Sequence, residues 1–232
     1  MRHQATPEEV DYRNDRGLDR ALFMKLVAGD WIAETKKYRL SVKFVAIADS
    51  IRPRISLIDV AKPHLATLAR RFAETVNLGT LAGGSVIYAD SIPSPETFRI
   101  ELKAGTPLPA HNTGIGKAIL AFRPTWELEK YLEEATFEIL TRKSTPNAGV
   151  FHEQIAEIRA RGYAVDDGEI LEEACCASAP VLDPDGIAIA AVSITAPRSI
   201  FYRIFDDATA AVVHAASMVS ADTITASGRA AA

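Results

Sequence analysis

At 232 residues, with 48% hydrophobic and 24% charged content, the chain has ample apolar material for a core and room for one large domain or two smaller ones. A net charge of -4 gives the whole chain no pull on nucleic acid, so a DNA-reading surface would have to gather its positive charge locally. No apolar run approaches the roughly 20 residues that span a bilayer. The opening MRHQATPEEVDYRNDR is polar and lacks a charged-then-apolar leader, so the cytoplasm is the expected compartment.

Thr6-Pro7-Glu8-Glu9 has the pattern of a helix start: a capping hydroxyl, a proline in the first turn, then acids at the positive helix end. Leu18, Ala21, Leu22, Met24, Leu26 and Val27 follow at helical spacing, and Gly29-Asp30 ends that segment. Trp31-Ile32 and Tyr38-Arg39-Leu40 read as a hairpin with Lys36-Lys37 at its tip, and 42–50 reads as helix. Arg52-Pro53-Arg54 is expected to break the chain. From 57 to 75, Leu57, Val60, Ala61, His64, Leu65, Leu68, Ala69 and Phe72 repeat at three and four, with Pro63 as an expected kink.

The stretch 77–102 alternates as strands, with turns at Gly83-Gly84 and Pro93-Ser94-Pro95. Helices are expected over 113–122, 126–134 and 150–161. Strands 179–183 and 187–195 form a hairpin about Asp183-Pro184-Asp185-Gly186, and a long helix covers 205–221. Residues 223–232 are small and polar enough to be read as a disordered tail. The order is α+β: an antiparallel sheet in the second half, with helices expected on one face.

Chemistry-bearing motifs are few. The two cysteines, Cys175 and Cys176, are adjacent, which suits neither an ordinary disulfide nor a metal site of Cys-x-x-Cys spacing. They read as small buried thiols or as the wall of a ligand pocket. His3, His64, His111, His152 and His214 show no ligand or triad spacing. Neither metal nor cofactor is expected. Thr113-Gly114-Ile115-Gly116-Lys117 precedes a helix whose free N–H groups could take an anion, yet its glycines stand too close for a phosphate-binding P-loop and no Ser or Thr follows Lys117. Asp166, Asp167, Glu169, Glu172 and Glu173 form an acidic run that reads as solvated, or as the mouth of a site. Ser193 and Thr195 alternate with Val192 and Ile194, so both hydroxyls share one face of a buried strand and need partners there.

PAHNTGIGKAILA (109–121) and RGYAVDDGEILEEACCASAPVLDPDGIAIAAVSITAP (161–197) together resemble the effector-binding domain of the IclR family of bacterial transcription regulators. The resemblance covers roughly 38–219. It implies a GAF-like or profilin-like domain with a curved antiparallel sheet at 76–222, a linker helix at 51–75, and a winged-helix module at 1–50 that is matched only in part. It further implies a small organic acid as effector, with Gly114 and Ile115 giving N–H groups, Asp166 and Cys176 lining the pocket, and Ser193 and Thr195 as its hydroxyls. Glu172-Glu173-Ala174 stands where the family usually carries a glycine-containing segment. Homodimers or homotetramers and double-stranded operator DNA are the implied partners.

In the first 41 residues the candidate DNA contacts are Arg20, Lys25, Lys36, Lys37 and Arg39, but acidic residues nearly balance the basic ones. Either 9–18 is the first helix of the module, or 18–27 is and the reading helix is absent. The expected function is a ligand-responsive transcription regulator. The alternative is an effector-binding protein with a degenerate DNA-binding module. An enzyme built on Cys176, Asp166 and His111 is disfavoured, because a reactive thiol needs a base or electropositive surroundings and this one follows a run of acids.

Overall fold

A computed structural model describes residues 42–97, 99–100 and 107–230. The winged-helix reading and its five basic contacts, Arg20, Lys25, Lys36, Lys37 and Arg39, lie outside the described residues. Residues 54–232 belong to one compact unit and residues 1–53 to another.

Helix α1 runs Val42–Phe72 without the break expected at Arg52-Pro53-Arg54. A proline removes one backbone hydrogen bond and crowds the preceding turn. Against that stands the packing of Leu57, Ala61, Leu65 and Leu68, each at most 5% exposed, on one face of the sheet. Tertiary burial overrides local propensity here, and it carries the helix through Pro63 as well. The same burial puts Leu57 and Leu65 in the core of their own chain.

Strands β1 (Thr75–Ala82) and β2 (Ser85–Ile92) form a hairpin across Gly83-Gly84, both at positive φ. Strand β3 (Leu108–Pro109) leads through a short 3₁₀ turn into helix α2 (Gly114–Ala121), followed by α3 (Thr125–Glu134) and α4 (Ala148–Arg161). Strands β4 (Ala164–Asp167), β5 (Ala174–Leu182) and β6 (Ala188–Pro197) complete a six-stranded sheet in the order β3-β2-β1-β6-β5-β4, antiparallel throughout. Helix α5 (Arg198–Ala230) closes the chain. The turn between β5 and β6 is tied by the Asp183 carboxylate, which accepts from the N–H groups of Asp185 and Ile187 (2.9 Å each).

Helices cover both faces of the sheet, not one. Cys175, Ala177, Ala179 and Val181 point to the face packed by α1 and α5. Alternate residues point to the face packed by α2, α3 and α4, whose core includes Ile115, Ile119, Leu128, Phe151 and Ile155. Strand β5 is buried along nearly its whole length, so it reads as continuously apolar or small and does not alternate with polar positions. The C-terminal helix extends past 223, where order was expected to end. Its hydroxyl residues satisfy themselves on the helix: Thr223 and Thr225 donate to the carbonyls of Val219 and Ala221 (2.7 and 2.9 Å). His64 on α1 and Asp222 on α5 meet at 2.8 Å.

Helix α4 shows how local sequence sets an element. Asn147 accepts the Val150 N–H on its side chain (3.0 Å), and Gly162 ends the helix at φ +83°. Asn147→Ala is expected to cost about 1 kcal/mol in a urea titration, with no change in ligand affinity.

Candidate functional site

The sheet face beneath α2 carries two polar rows among apolar neighbours. Strand pairing aligns Asp166, Cys176, Thr195 and Thr75 across four strands, and Ser178, Ser193, Asn77 and Ser91 across another four. Such alignment follows from period-two side-chain direction once the register is fixed. The Asn77 amide donates toward Ser193 and Thr195 (3.4 Å each), and its oxygen accepts from the Ser91 hydroxyl (2.8 Å). Both hydroxyls of β6 thus face inward with Asn77 between them.

Helix α2 meets this face end-on. Thr113 caps it, accepting the Gly116 N–H (3.0 Å), while the first helical N–H groups have no acceptor within the helix. A Cβ on Gly114 would lie 2.6 Å from both Cys176 Sγ and Ser178 Oγ, so any larger residue would make one of these side chains shift. The Cys176 sulfur lies 3.7 Å from the Ser178 hydroxyl beneath the same glycine. All six residues read as the effector set, Gly114, Ile115, Asp166, Cys176, Ser193 and Thr195, line one cavity of about 30 Å³. Tyr88 of β2, Leu108 of β3 and Leu171 of the loop between β4 and β5 are among the other residues of its wall.

The acidic run is split by burial. Asp166 is 8% exposed, and its carboxyl accepts the Glu169 N–H (2.7 Å). Burial pushes it up to about 7, against the opposing pull of the nearby Lys117 ammonium. Asp167 points outward. Desolvation opposes its ionisation, but hydrogen bonds from Lys143 and Tyr202 with the Arg198 guanidinium hold it down at about 2. Glu169 is also buried, at 6%, and forms an ion pair with Lys117, itself 2% exposed. Its second oxygen accepts from Thr145 Oγ1 (3.1 Å). The expectation of a solvated charge run therefore fails at Asp166 and Glu169. The loop between β4 and β5 folds inward, and hydrogen bonds from Thr141 to the Gly168 carbonyl (2.7 Å) and Ser144 to the Glu169 carbonyl (2.8 Å) hold it there.

Asp166 is raised in the folded state, so its neutral form is the stable one. That contribution is complete below about 4, the ordinary carboxylate value, and is lost as pH rises through 7. Asp166→Asn is expected to exceed the wild type in stability at pH 8, on the order of 2 kcal/mol, and to match it at pH 4. Equal unfolding midpoints at pH 8 would refute a buried, ionised Asp166.

The Cys176 thiol is not activated in this arrangement. Burial first, and the Asp166 charge second, push Cys176 up to about 12, so it is a protonated thiol at neutral pH. His111 turns its Nδ1 to the Tyr131 hydroxyl (2.7 Å) and lies tilted against Phe137 (centroids 4.6 Å apart). Burial lowers it to about 4, keeping the ring neutral. A larger hollow of about 550 Å³ lies between α3 and the β1–β2 turn, but its charges pair with one another, Arg123 with Glu127 and Lys130 with Glu134.

Sequence reasoning missed Asn77, Ser178, Lys117 and Glu169. A single Asn in the strand TVNLGTLA and a serine two positions after Cys176 were available signals. Nothing in the sequence marked Glu169 as the buried member of its run.

The sequence matches the family described as Bacterial transcriptional regulator IclR C-terminal over residues 51–221. The regulator BhcR of Paracoccus denitrificans is 35% identical over 144 residues, 62% of this chain and 52% of that protein. The regulator KdgR of Escherichia coli is 30% identical over 164 residues, 71% of this chain and 62% of that protein. The chain thus spans roughly half to two thirds of the length of these relatives. The solved C-terminal domain of Escherichia coli KdgR superposes with a TM-score of 0.66 at 29% identity, covering 73% of this chain and 99% of that one. An IclR homolog from Microbacterium hydrocarbonoxydans, solved in complex with 4-hydroxybenzoate, has the same fold at a TM-score of 0.69 and 20% identity, over 89% of this chain and 84% of that one. On the match that runs from α1 to α5, the chain belongs to the IclR family of bacterial transcription regulators.

Proposed function

We propose that the polar hollow beneath α2 binds a small carboxylic acid, and that occupancy there is signalled through α1 to a DNA-binding module in the N-terminal part. The observation that carries this reading is convergence. Six residues from α2, β4, β5 and β6 reach one cavity, and the donors there are a helix N-terminus and two hydroxyls, which the Asn77 amide holds from behind. Donors of this kind suit an anion and need no buried cation dedicated to it. The Microbacterium homolog holds a carboxylic acid, which agrees with that chemistry. In this reading Gly114 and Ile115 offer N–H groups to the carboxylate, Ser193 and Thr195 bond its oxygens, Cys176 forms the wall, and Asp166 bonds a ligand hydroxyl or holds the loop through the Glu169 N–H.

The protein acts in the cytoplasm as a dimer or a pair of dimers on double-stranded operator DNA. Twofold assemblies match palindromic sites, and Arg20, Lys25, Lys36, Lys37 and Arg39 are its phosphate contacts. Light scattering should report an even number of chains per particle. An electrophoretic shift of upstream DNA should change when the acid is added.

A thermal-shift screen of carboxylic acids identifies a ligand, since binding to the folded state alone raises the melting temperature. With that ligand, Ser193→Ala should lose about 0.5–3 kcal/mol of binding free energy by calorimetry. Unchanged affinity in both Ser193→Ala and Thr195→Val would move the site elsewhere.

A further inference from the structure

The hollow that gathers these donors also holds a carboxylate of its own. Asp166 lines the same 30 Å³ cavity as Gly114, Ser193 and Thr195. Among the described residues no cation bonds to it, because the neighbouring Lys117 ammonium is taken by Glu169. The other groups facing Asp166 are acids. Glu169 sits in the same loop, Cys176 on β5 and Tyr88 on β2, while Cys175 lies on the opposite face of the sheet. Burial first, and then neighbouring negative charge, raise both thiols and the phenol. A ligand carboxylate held by those donors would have the Asp166 carboxylate as a neighbour in the same cavity. Two carboxylates in contact cannot both stay ionised.

We infer that the site takes its effector as a monocarboxylate together with one proton, which is drawn from solvent and held on Asp166. This rests on the carboxylate reading of the site given above. The balance is one Asp166 carboxylate, one proton and one ligand carboxylate on one side. On the other is a neutral Asp166 carboxylic acid beside the ligand anion. Only the O–H bond on Asp166 forms. The protonated carboxyl then adds a donor to a wall already built of donors, and its second oxygen still accepts from the Glu169 N–H. Burial already lifts this group to about 7, so the proton is exchanged near neutrality. Its neighbour Asp167, clamped by Lys143 and Arg198 on the outside, takes no part. A dicarboxylate would bring a second charge that no group in the cavity can neutralise, which sets the class as singly charged.

The test is calorimetry on the full 232-residue chain with formate, acetate, lactate and 4-hydroxybenzoate, and with succinate as a dianion, in HEPES and in Tris. A monoanion that binds should take up about one proton per site at pH 8 and almost none at pH 6, with its Kd weakening about tenfold per pH unit above 7. Asp166→Asn, a mimic of the protonated acid, should bind at pH 8 at least as tightly as the wild type and show no proton uptake. The buffer comparison needs only the wild type, so it stands even if that variant folds poorly. A monoanion that binds with equal heat in both buffers at pH 8 overturns the inference and leaves the site reading intact. Succinate binding more tightly than every monoanion overturns the single-charge limit. If none of the five acids binds, or if binding survives unchanged in Ser193→Ala and Thr195→Val, the carboxylate reading falls and the inference falls with it.

Discussion

Gly116→Ala is expected to be the most damaging single methyl that can be added to this domain. A Cβ there would sit 2.4 Å from both the Cα and the carbonyl oxygen of Ala110, and 2.7 Å from its carbonyl carbon. These are backbone atoms of the 3₁₀ turn that leads into α2, and they cannot rotate aside. Gly79 and Gly114 give a useful contrast. Their added Cβ atoms would meet Ile115 Cγ2 at 2.8 Å, and Cys176 Sγ and Ser178 Oγ at 2.6 Å, all side-chain atoms with some freedom to turn. Every residue of α2 is buried, so the helix cannot slide outward to make room without opening the core under Ile119 and Leu120. Gly116→Ala should therefore lose about 3–4 kcal/mol, a large share of the 5–15 kcal/mol typical of a domain. Gly114→Ala should lose less stability and more ligand affinity, because its methyl enters the proposed carboxylate position. Urea midpoints for the two variants, measured side by side, check the order. A Gly116→Ala midpoint within about 1 kcal/mol of the wild type would show that the turn is not fixed where it is described.

Much of this site could be read from the sequence because its logic is local. The capping threonine, the paired glycines and the alternation of Ser193 and Thr195 are signals contained within a few residues, and strand pairing then brings them together. The elements that escaped depend on distant partners. Nothing near Pro53 says that the packing from Leu57 to Leu68 will hold one helix through it. Nothing in the run from Asp166 to Glu173 says which acids turn inward. That is decided by Lys117, more than one element away, and by the hydroxyls of Thr141, Ser144 and Thr145 on the loop before α4. The small side chains of β5 and β6 concealed the second helical layer in a similar way. Alanine-rich strands read as plainly apolar, and only the register shows that alternate positions serve two different helix layers.

Lys117→Met should be at least as damaging as the glycine change, for an electrostatic reason. The Lys117 ammonium and the Glu169 carboxylate are both almost fully buried and bonded to each other, and Thr145 completes the carboxylate's bonding. Removing the lysine leaves Glu169 charged, or forces it to protonate, in a place without solvent. Breaking one partner of a buried pair typically costs about 3–5 kcal/mol. Replacing both partners with apolar residues removes the stranded charge. The double variant Lys117→Met with Glu169→Leu should thus recover part of that loss, with the single Thr145 O–H, released from Glu169, free to donate to the His111 carbonyl (3.2 Å). The pair also bears on Asp166. Of its two charges, the Lys117 ammonium acts on Asp166 more strongly than the Glu169 carboxylate does, and in the opposite direction. Deleting both should push Asp166 further up, so proton uptake at pH 8 falls in the double variant, because the proton is already in place. A double-mutant cycle by urea unfolding measures the coupling. A Lys117→Met loss no larger than that of the double variant would mean that the buried pair stabilises nothing beyond its separate side chains.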